Sequence, residues 1–237
     1  MSAAMTTEQT PSRFELLNPK DHGKLRLSSR VSNRPHFVQI VASEFSAAAV
    51  CSPILITKEA STGNFYVGAM LGFKAGECLL PTPADRGGFQ PLNFQRDGFF
   101  ISGEQIAIDV SNARFSETEG EPLFDEGEQP SAQMRQIQRV LGQLQEALSK
   151  TDAFIATLAR LKLIEPIEVS LSFDDGERLN LQGLYTVSMD SLQSLEDADV
   201  VQLFRSGDLQ RIYVMNASLS QLGTLADKRN RQSLASS

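Results

Sequence analysis

An α+β fold is what this sequence predicts, and three observations predict it. Short apolar runs of strand length crowd the first 115 residues. One long stretch of helical periodicity follows, starting at Ser131. A hairpin pattern over residues 167–181 and two further helical segments come after it. The expected architecture is a mostly β N-terminal half, a long central helix, a β-hairpin and two C-terminal helices packed as one unit. A single domain is expected over 14–231, with a disordered tail at 1–13 and a frayed tail at 232–237.

Order is expected to begin near Phe14-Glu15-Leu16-Leu17. Asn18-Pro19-Lys20-Asp21-His22 reads as a turn, because Asn-Pro initiates turns. Phe37-Val38-Gln39-Ile40-Val41 alternates as a strand. The Ala-rich residues 43–50 fit one or two helical turns, with Ser43 able to cap them. Residues 42–79 are the stretch around which the chain is organised. They hold two apolar runs, 53–58 and 65–73, joined by the polar turn 59–64, and the simplest reading is a pair of strands. The Pro- and Gly-rich residues 81–94 form a loop. Residues 98–102 and 105–109 read as two more strands turning at Gly103. Residues 120–130 are an acidic connector.

Met134, Ile137, Leu141, Leu144, Leu148, Ile155 and Leu158 follow a 3-4 spacing that puts them on one helix face. Thr151 interrupts that rhythm, and Thr151-Asp152 could cap a second helix instead. The spacing also allows a coiled coil, but flanking charges are sparse, so a core helix is the preferred reading. In the hairpin, the loop Asp174-Asp175-Gly176 pairs Leu171 with Leu179 and Val169 with Leu181. That register keeps all four on one face and puts Gly176 at the left-handed turn position. A two-residue loop would pair Phe173 with Arg178 and spoil the pattern. Residues 183–187 extend the second strand or start a third. Residues 197–206 form a helix ending at Gly207. Asp208 can cap the last helix, whose buried face is Leu209, Ile212, Met215, Leu219 and Leu222. Lys228 to Arg231 suit its C-terminal dipole.

The 237 residues are 41% hydrophobic and 22% charged, so a real core can form. With no Trp, the 14 Phe must supply most of its aromatic packing. The net charge of −7 argues against a general nucleic-acid binder, which needs clustered Lys and Arg. Residues 101–130 hold eight acids against one base, Arg114, whereas residues 1–40 hold six Lys/Arg against three acids. A solvated acidic loop and an attraction between these regions both fit. Cys51 and Cys78 are not spaced as Cys-x-x-Cys and suit buried thiols in a reducing compartment. The N-terminus lacks the basic and apolar regions of a secretory signal. No apolar run approaches the length of a transmembrane helix. The expected location is cytoplasmic.

Glu44 is the sharpest site candidate. A carboxylate in an apolar stretch should be buried, and a buried charge needs a partner, for which Arg26 or Arg96 would serve. A structural ion pair and a catalytic carboxylate are the two readings. His22 is the second catalytic candidate, although Asp21-His22 before Arg26 could equally be a capping or salt-bridge cluster. A metal site on His22 or His36 would need further ligands, such as Asp21 or Glu44, brought in by folding. No metal and no cofactor are expected. Phe124 and Asp125 in the acidic connector are binding candidates alongside Arg26 and Arg96; a loop pinned to the core is the alternative. The connector does not match an EF-hand loop. There is no nucleophile elbow, phosphate-binding Gly loop or dinucleotide fingerprint, which disfavours the common hydrolase and nucleotide-binding classes.

Several spaced blocks together resemble the SapC family of bacterial proteins. They are Leu17-Asn18-Pro19-Lys20-Asp21-His22-Gly23-Lys24-Leu25-Arg26; Ala42-Ser43-Glu44-Phe45 with Pro53-Ile54; Leu71-Gly72-Phe73-Lys74-Ala75-Gly76-Glu77; Gly120-Glu121-Pro122-Leu123-Phe124-Asp125-Glu126; Gly183-Leu184-Tyr185; Leu203-Phe204-Arg205-Ser206-Gly207; and Ser218-Leu219-Ser220-Gln221-Leu222. The resemblance covers roughly residues 14–230. The chain departs from the family pattern at Arg96-Asp97-Gly98-Phe99, where the family tends to have Arg-Tyr-Pro-Phe, and at Met215, where a His is usual. The resemblance implies association with surface-layer production or export. It also implies gene company with outer-membrane receptors and flavin-dependent halogenase-like proteins. A permease role does not fit a chain without a membrane-length apolar run. The expected function is therefore a non-catalytic accessory protein binding protein partners. The alternative is an enzyme or enzyme subunit in peptide or metabolite modification. A self-assembling surface-layer component is the weakest of the three readings.

Overall fold

The computed structural model describes residues 13–28, 35–80 and 88–235. Residues 1–12 of the expected tail, the basic stretch 29–34, the loop residues 81–87 and the last two residues lie outside the described residues. In chain order the elements are β1 (Phe14–Leu16), α1 (Pro19–His22), β2 (Arg26–Leu27), β3 (Phe37–Gln39), a 3-10 turn (Ala42–Glu44) and α2 (Phe45–Ala48). Then come β4 (Ile54–Lys58), β5 (Phe65–Met70), α3 (Leu92–Gln95), β6 (Phe99–Ser102), β7 (Gln105–Asp109), β8 (Phe115–Ser116) and β9 (Glu121–Pro122). The long helix α4 (Ala132–Arg160) is followed by β10 (Ile164–Ser172), β11 (Arg178–Val187), α5 (Met189–Gln193), α6 (Asp197–Ser206), α7 (Asp208–Ser218) and α8 (Gln221–Ala235). The fold is α+β, and its pairings are antiparallel. Contacts divide the chain into two compact units.

The first unit takes the described residues up to 28 and residues 94–143. It contains two three-stranded sheets, ordered β1-β7-β6 and β8-β2-β9. Its core gathers Leu27, Phe99, Ile108 and Leu123 against Met134, Ile137 and Leu141 from the first half of α4. The strands β6 and β7 turn at Gly103 in the expected register, with Ile101 opposite Ile106. The second sheet was not legible from alternation, because two-residue strands carry no period. In it Arg26 and Leu27 pair on one side with Ser116 and Phe115, and on the other with Pro122 and Glu121. The acidic connector thus meets the basic N-terminal region through backbone pairing.

The second unit takes residues 35–80, 88–93 and 144–235. It holds a five-stranded sheet ordered β10-β11-β4-β5-β3. The pair β4 and β5 matches the sequence reading, from Ile54 opposite Ala69 to Lys58 opposite Phe65. The hairpin has the expected register, Val169 opposite Leu181 and Leu171 opposite Leu179. Gly176 has φ 84°, a conformation that costs a side-chain-bearing residue energy and that this turn requires. Residues 183–187 extend β11, whose Leu184 and Tyr185 pair with Thr57 and Ile56 of β4. One face of the sheet packs Leu55, Met70, Val169 and Leu184 with Phe73, Leu79 and Leu225.

Helix α4 is the long central helix expected, with one correction to its buried face. It starts as predicted, with the Ser131 hydroxyl accepting from the Met134 N–H at 3.1 Å. It does not break at Thr151, which is buried inside a continuous helix. Leu148 is exposed, while Ala147, Thr151 and Phe154 are buried. Leu148 falls outside the face formed by Ala147, Thr151 and Phe154, while Ile155 and Leu158 further along the helix are buried as expected. The Phe154 ring meets Phe45 edge to face, with centroids 5.9 Å apart.

The C-terminal region holds four helices where two were expected. Helix α5 is capped by Ser188. Helix α6 ends at Gly207, φ 77°, as expected. The last segment is split between α7 and α8 at Leu219-Ser220, and next to the split the Ser218 hydroxyl accepts from the Ile54 N–H of β4. Asp208 is the first residue of α7 rather than its cap, and its carboxylate accepts from the Ser206 hydroxyl at 2.7 Å.

Candidate functional site

Glu44 ends the 3-10 turn and is 7% exposed. One carboxylate oxygen accepts from the Val41 N–H at 3.0 Å and the other from the Leu92 N–H at 2.8 Å. The backbone therefore supplies the compensation for which the sequence suggested Arg26 or Arg96. Two amide dipoles aimed at a carboxylate can stabilise a buried charge without a cation. Burial pushes the carboxyl pKa up from 4.5, with the Leu92 and Val41 amides pulling it back. Chemically, the group ties residue 92 to the turn at 41–44. The next bond in the chain does similar work, since the Ala42 N–H donates to the Thr151 hydroxyl at 2.9 Å. Ser43 does not cap this turn.

His22 closes the short helix α1. Asn18 caps that helix, accepting from the Asp21 N–H at 2.9 Å, and Pro19 occupies its first turn. The buried imidazole lies with Nδ1 3.2 Å from the Asn18 backbone N and O, and with Nε2 3.2 Å from a Glu15 carboxylate oxygen. Its ring lines a cleft of about 240 Å³ together with Arg13, Glu15, Asp21, Lys24 and Glu117. The cleft mixes both signs of charge. Glu15 also pairs with Arg13 at 2.8 Å. His22 and Arg26 belong to the first unit and Glu44 to the second.

Arg26 donates to the Gly120 carbonyl at 3.1 Å. Arg96 donates to the Phe99 carbonyl at 3.2 Å and lies over the Phe100 ring at 5.2 Å. Asp125 accepts from the Gly127 and Gln129 N–H groups at 3.0 and 2.9 Å, folding the connector into a side-chain-closed turn. Phe124 packs against the first unit's core beside buried Leu123. These contacts describe a loop pinned to the core.

Two arginines that sequence reasoning left aside organise more of the structure than any of these candidates. Arg114 is buried, and one of its terminal nitrogens donates to the carbonyls of Phe94, Gln95 and Asp97. Burial pulls its pKa down, opposed by Asp97. Arg229, read from sequence as a dipole-end charge on a surface helix, is buried and stacks on Phe173 at 3.7 Å. It pairs with Glu77 at 3.5 Å, with Asp175 at 3.2 Å and with Glu177. Lys74 reaches Glu177 as well, at 2.7 Å. No local pattern announces such a cluster, since its members are drawn from three separate stretches of the chain, at 74–77, 175–177 and 229. Cys51 and Cys78 are free and half-buried rather than buried, and burial pushes the Cys51 thiol pKa up. Among the described residues, no group of three His, Cys, Asp or Glu side chains gathers to hold a metal ion. Among the same residues, no helix is long and apolar enough to cross a membrane.

The family model for SapC matches residues 17–225, which span both units. The chain belongs to the SapC family. No curated protein and no solved structure matches it. Several blocks that carry the SapC likeness have structural explanations. In Leu71-Gly72-Phe73-Lys74-Ala75-Gly76-Glu77, the Glu77 carboxylate accepts from the Phe73 N–H at 2.6 Å and faces Arg229. A side chain at Gly72 would stand 2.5 Å from the Glu77 carbonyl, so the loop closes only over glycine. In Ser218-Leu219-Ser220-Gln221-Leu222, the Ser218 hydroxyl accepts from the Ile54 N–H at 2.8 Å and donates to the Met215 carbonyl at 2.6 Å. That bond joins the tail block to Pro53-Ile54. Leu203 is buried and Gly207 ends α6, but Phe204 between them is 73% exposed. Met215 is fully buried in α7.

Proposed function

We propose that this SapC protein is a non-catalytic accessory protein that binds protein partners in bacterial cell-surface or envelope-transport systems, acting from the cytoplasm. The observation that carries the reading is a division of labour among its side chains. Glu44 and Asp125 direct their carboxylates at the chain's own backbone N–H groups, and Arg114 directs its guanidinium at backbone carbonyls. Large apolar side chains meanwhile stand in solvent, with Val201 and Phe204 three residues apart on α6. An exposed aromatic on a rigid helix costs solubility and suits an interface anchor. Arg26, Arg96, Phe124 and Asp125 then serve to shape the surface rather than to react. The test is affinity isolation from gently lysed native cells, comparing the natural protein with Phe204→Asp. Envelope or transport proteins that co-purify with the first and not with the second support the reading. Turnover of a small molecule that depends on Glu44 or His22 sinks it.

One observation favours the alternative, an enzyme subunit in peptide or metabolite modification: His22 lines a polar cleft with Glu15, Asp21 and Lys24. A soluble enzyme as the co-purifying partner, whose activity falls with His22→Gln while the fold is retained, would move the assignment there.

A further inference from the structure

We infer that a cleft beside the end of β3 takes an arginine side chain from an extended segment of a partner protein, an inference that deepens the accessory reading and rests on it. The cleft has a volume of about 440 Å³ and is lined by Gln39, Glu59, Asn64, Phe65, Tyr66 and Asp152. All six residues belong to the second unit. Two carboxylates, two aromatic rings and two amides meet there, and among the described residues no Lys or Arg lines it. Lys58 lies instead over the rings of Phe65 and Tyr185, at 4.8 and 5.4 Å.

Three elements build the cleft. β3 ends at Gln39, opposite Gly68, so β5 runs on past it to Phe65. The turn 59–64 closes with the Glu59 N–H donating to the Asn64 carbonyl at 2.9 Å. The Ala42 N–H donates to the Thr151 hydroxyl, which holds the next residue of α4, Asp152, beside the chain leaving β3.

The chemistry of the lining selects a guanidinium. Within the fold the Glu59 carboxylate accepts from the Thr62 hydroxyl at 2.8 Å; among the described residues the side-chain polar groups of Gln39, Asn64, Tyr66 and Asp152 have no hydrogen-bond or ion-pair partner. Burial, and then the charge of Glu59, push the Tyr66 hydroxyl pKa up from 10.0, so the ring stands within the field of that carboxylate. A planar cation that stacks on a ring while donating to carboxylates and amide carbonyls satisfies all of these groups together, and arginine does so better than lysine.

The backbone selects a peptide as its source. The Ile40 N–H donates to the Val67 carbonyl at 3.1 Å, and the Leu71 N–H to the His36 carbonyl at 2.6 Å. Odd-numbered residues of β5 therefore turn their backbone groups toward β3. Phe65 turns its N–H and C=O the same way, beyond the point where β3 ends. An extended segment can pair with that N–H and C=O as its arginine enters the cleft, which a free guanidine cannot do.

The test is a titration of the isotopically labelled full chain with the end-blocked tripeptide acetyl-Ser-Arg-Ser-amide, read from its amide NMR signals. Saturable shifts at Phe65 and Tyr66 are expected. The neutral citrulline peptide should bind about tenfold more weakly or worse. Asp152→Asn and Glu59→Gln should each weaken the arginine peptide about two- to fivefold, since both carboxylates are exposed. Glu146→Gln, which alters an exposed acid of α4 outside the cleft, should not change it. Equal binding of the citrulline peptide, or undiminished binding by both cleft variants, overturns the inference. So does agmatine, a guanidine without a peptide backbone, if it binds as tightly as the tripeptide. No shift with the arginine peptide, while Phe204-dependent partners still co-purify, removes the cleft and leaves the accessory reading standing. Saturable arginine binding by a chain that captures no partner leaves the cleft and removes that reading.

Discussion

Glu44 links its protonation to stability through burial. Its carboxyl pKa is raised above 4.5 chiefly by desolvation, so the folded chain holds the proton more readily than the unfolded one. Between 4.5 and the raised value, stability therefore falls as pH rises. Glu44→Gln should abolish that contribution. In urea unfolding midpoints, the deficit of the Gln variant should be largest below this window and shrink as pH rises through it. A deficit that grows with pH would mean that the charged form is the favoured one. Thr151 gives a second test. Its hydroxyl is the acceptor for the Ala42 N–H and donates to the Ala147 carbonyl at 2.7 Å. Thr151→Val keeps the shape and orphans the part-buried Ala42 N–H, so a loss of about 1 kcal/mol is expected in urea unfolding, with Thr151→Ser losing less. At this scale the sequence shows that Glu44 is buried, because an acid inside an apolar run has no other place. It does not show the partner, because backbone N–H groups from residue 92 leave no mark on local pattern.

Among the elements, the hairpin is the most legible and the C-terminal helices the least. Alternation of Val169 and Leu171 with Leu179 and Leu181 admits one register around Asp174-Asp175-Gly176, and that register is the one found. Helix α4 is legible in its existence and its start, but its buried face is not fully so, since the 3-4 spacing includes exposed Leu148 and passes over buried Ala147 and Phe154. Beside the break between α7 and α8, the Ser218 hydroxyl bonds to a strand 164 residues earlier, a contact that no periodicity reveals. Arg229 joins three elements in the same way: α8, the hairpin turn and the loop before Leu79. Arg229→Met should leave Glu77, Asp175 and Glu177 facing one another with only Lys74, held on Glu177, to offset them. A destabilisation of about 1–3 kcal/mol is expected, less than for a fully buried pair because the carboxylates are partly exposed. A double-mutant cycle with Glu177→Gln should show coupling, and additive losses would dismiss the cluster as a unit.

For the whole molecule, a net charge of −7 and basic residues distributed through the fold predict no retardation of duplex DNA at physiological salt, a result a mobility-shift titration checks directly. The sequence by itself determined the fold class, the strand pairs near Ile54 and Val169, the long helix and membership of the SapC family. These rest on local periodicity, turn chemistry and spaced blocks, all of which are carried by neighbours in the chain. Only the tertiary structure decided that β2 is sandwiched by two-residue strands, and that Asp125 closes a loop. It alone decided that Arg114 and Arg229 are buried, and that Phe14, Phe204 and Tyr213 are exposed. The physical reason is common to the sandwiched strand, the buried arginines and the exposed rings. Whether a charge is buried or a ring is left in water depends on what residues far away in the chain bring to it, and a one-dimensional pattern contains no such distance.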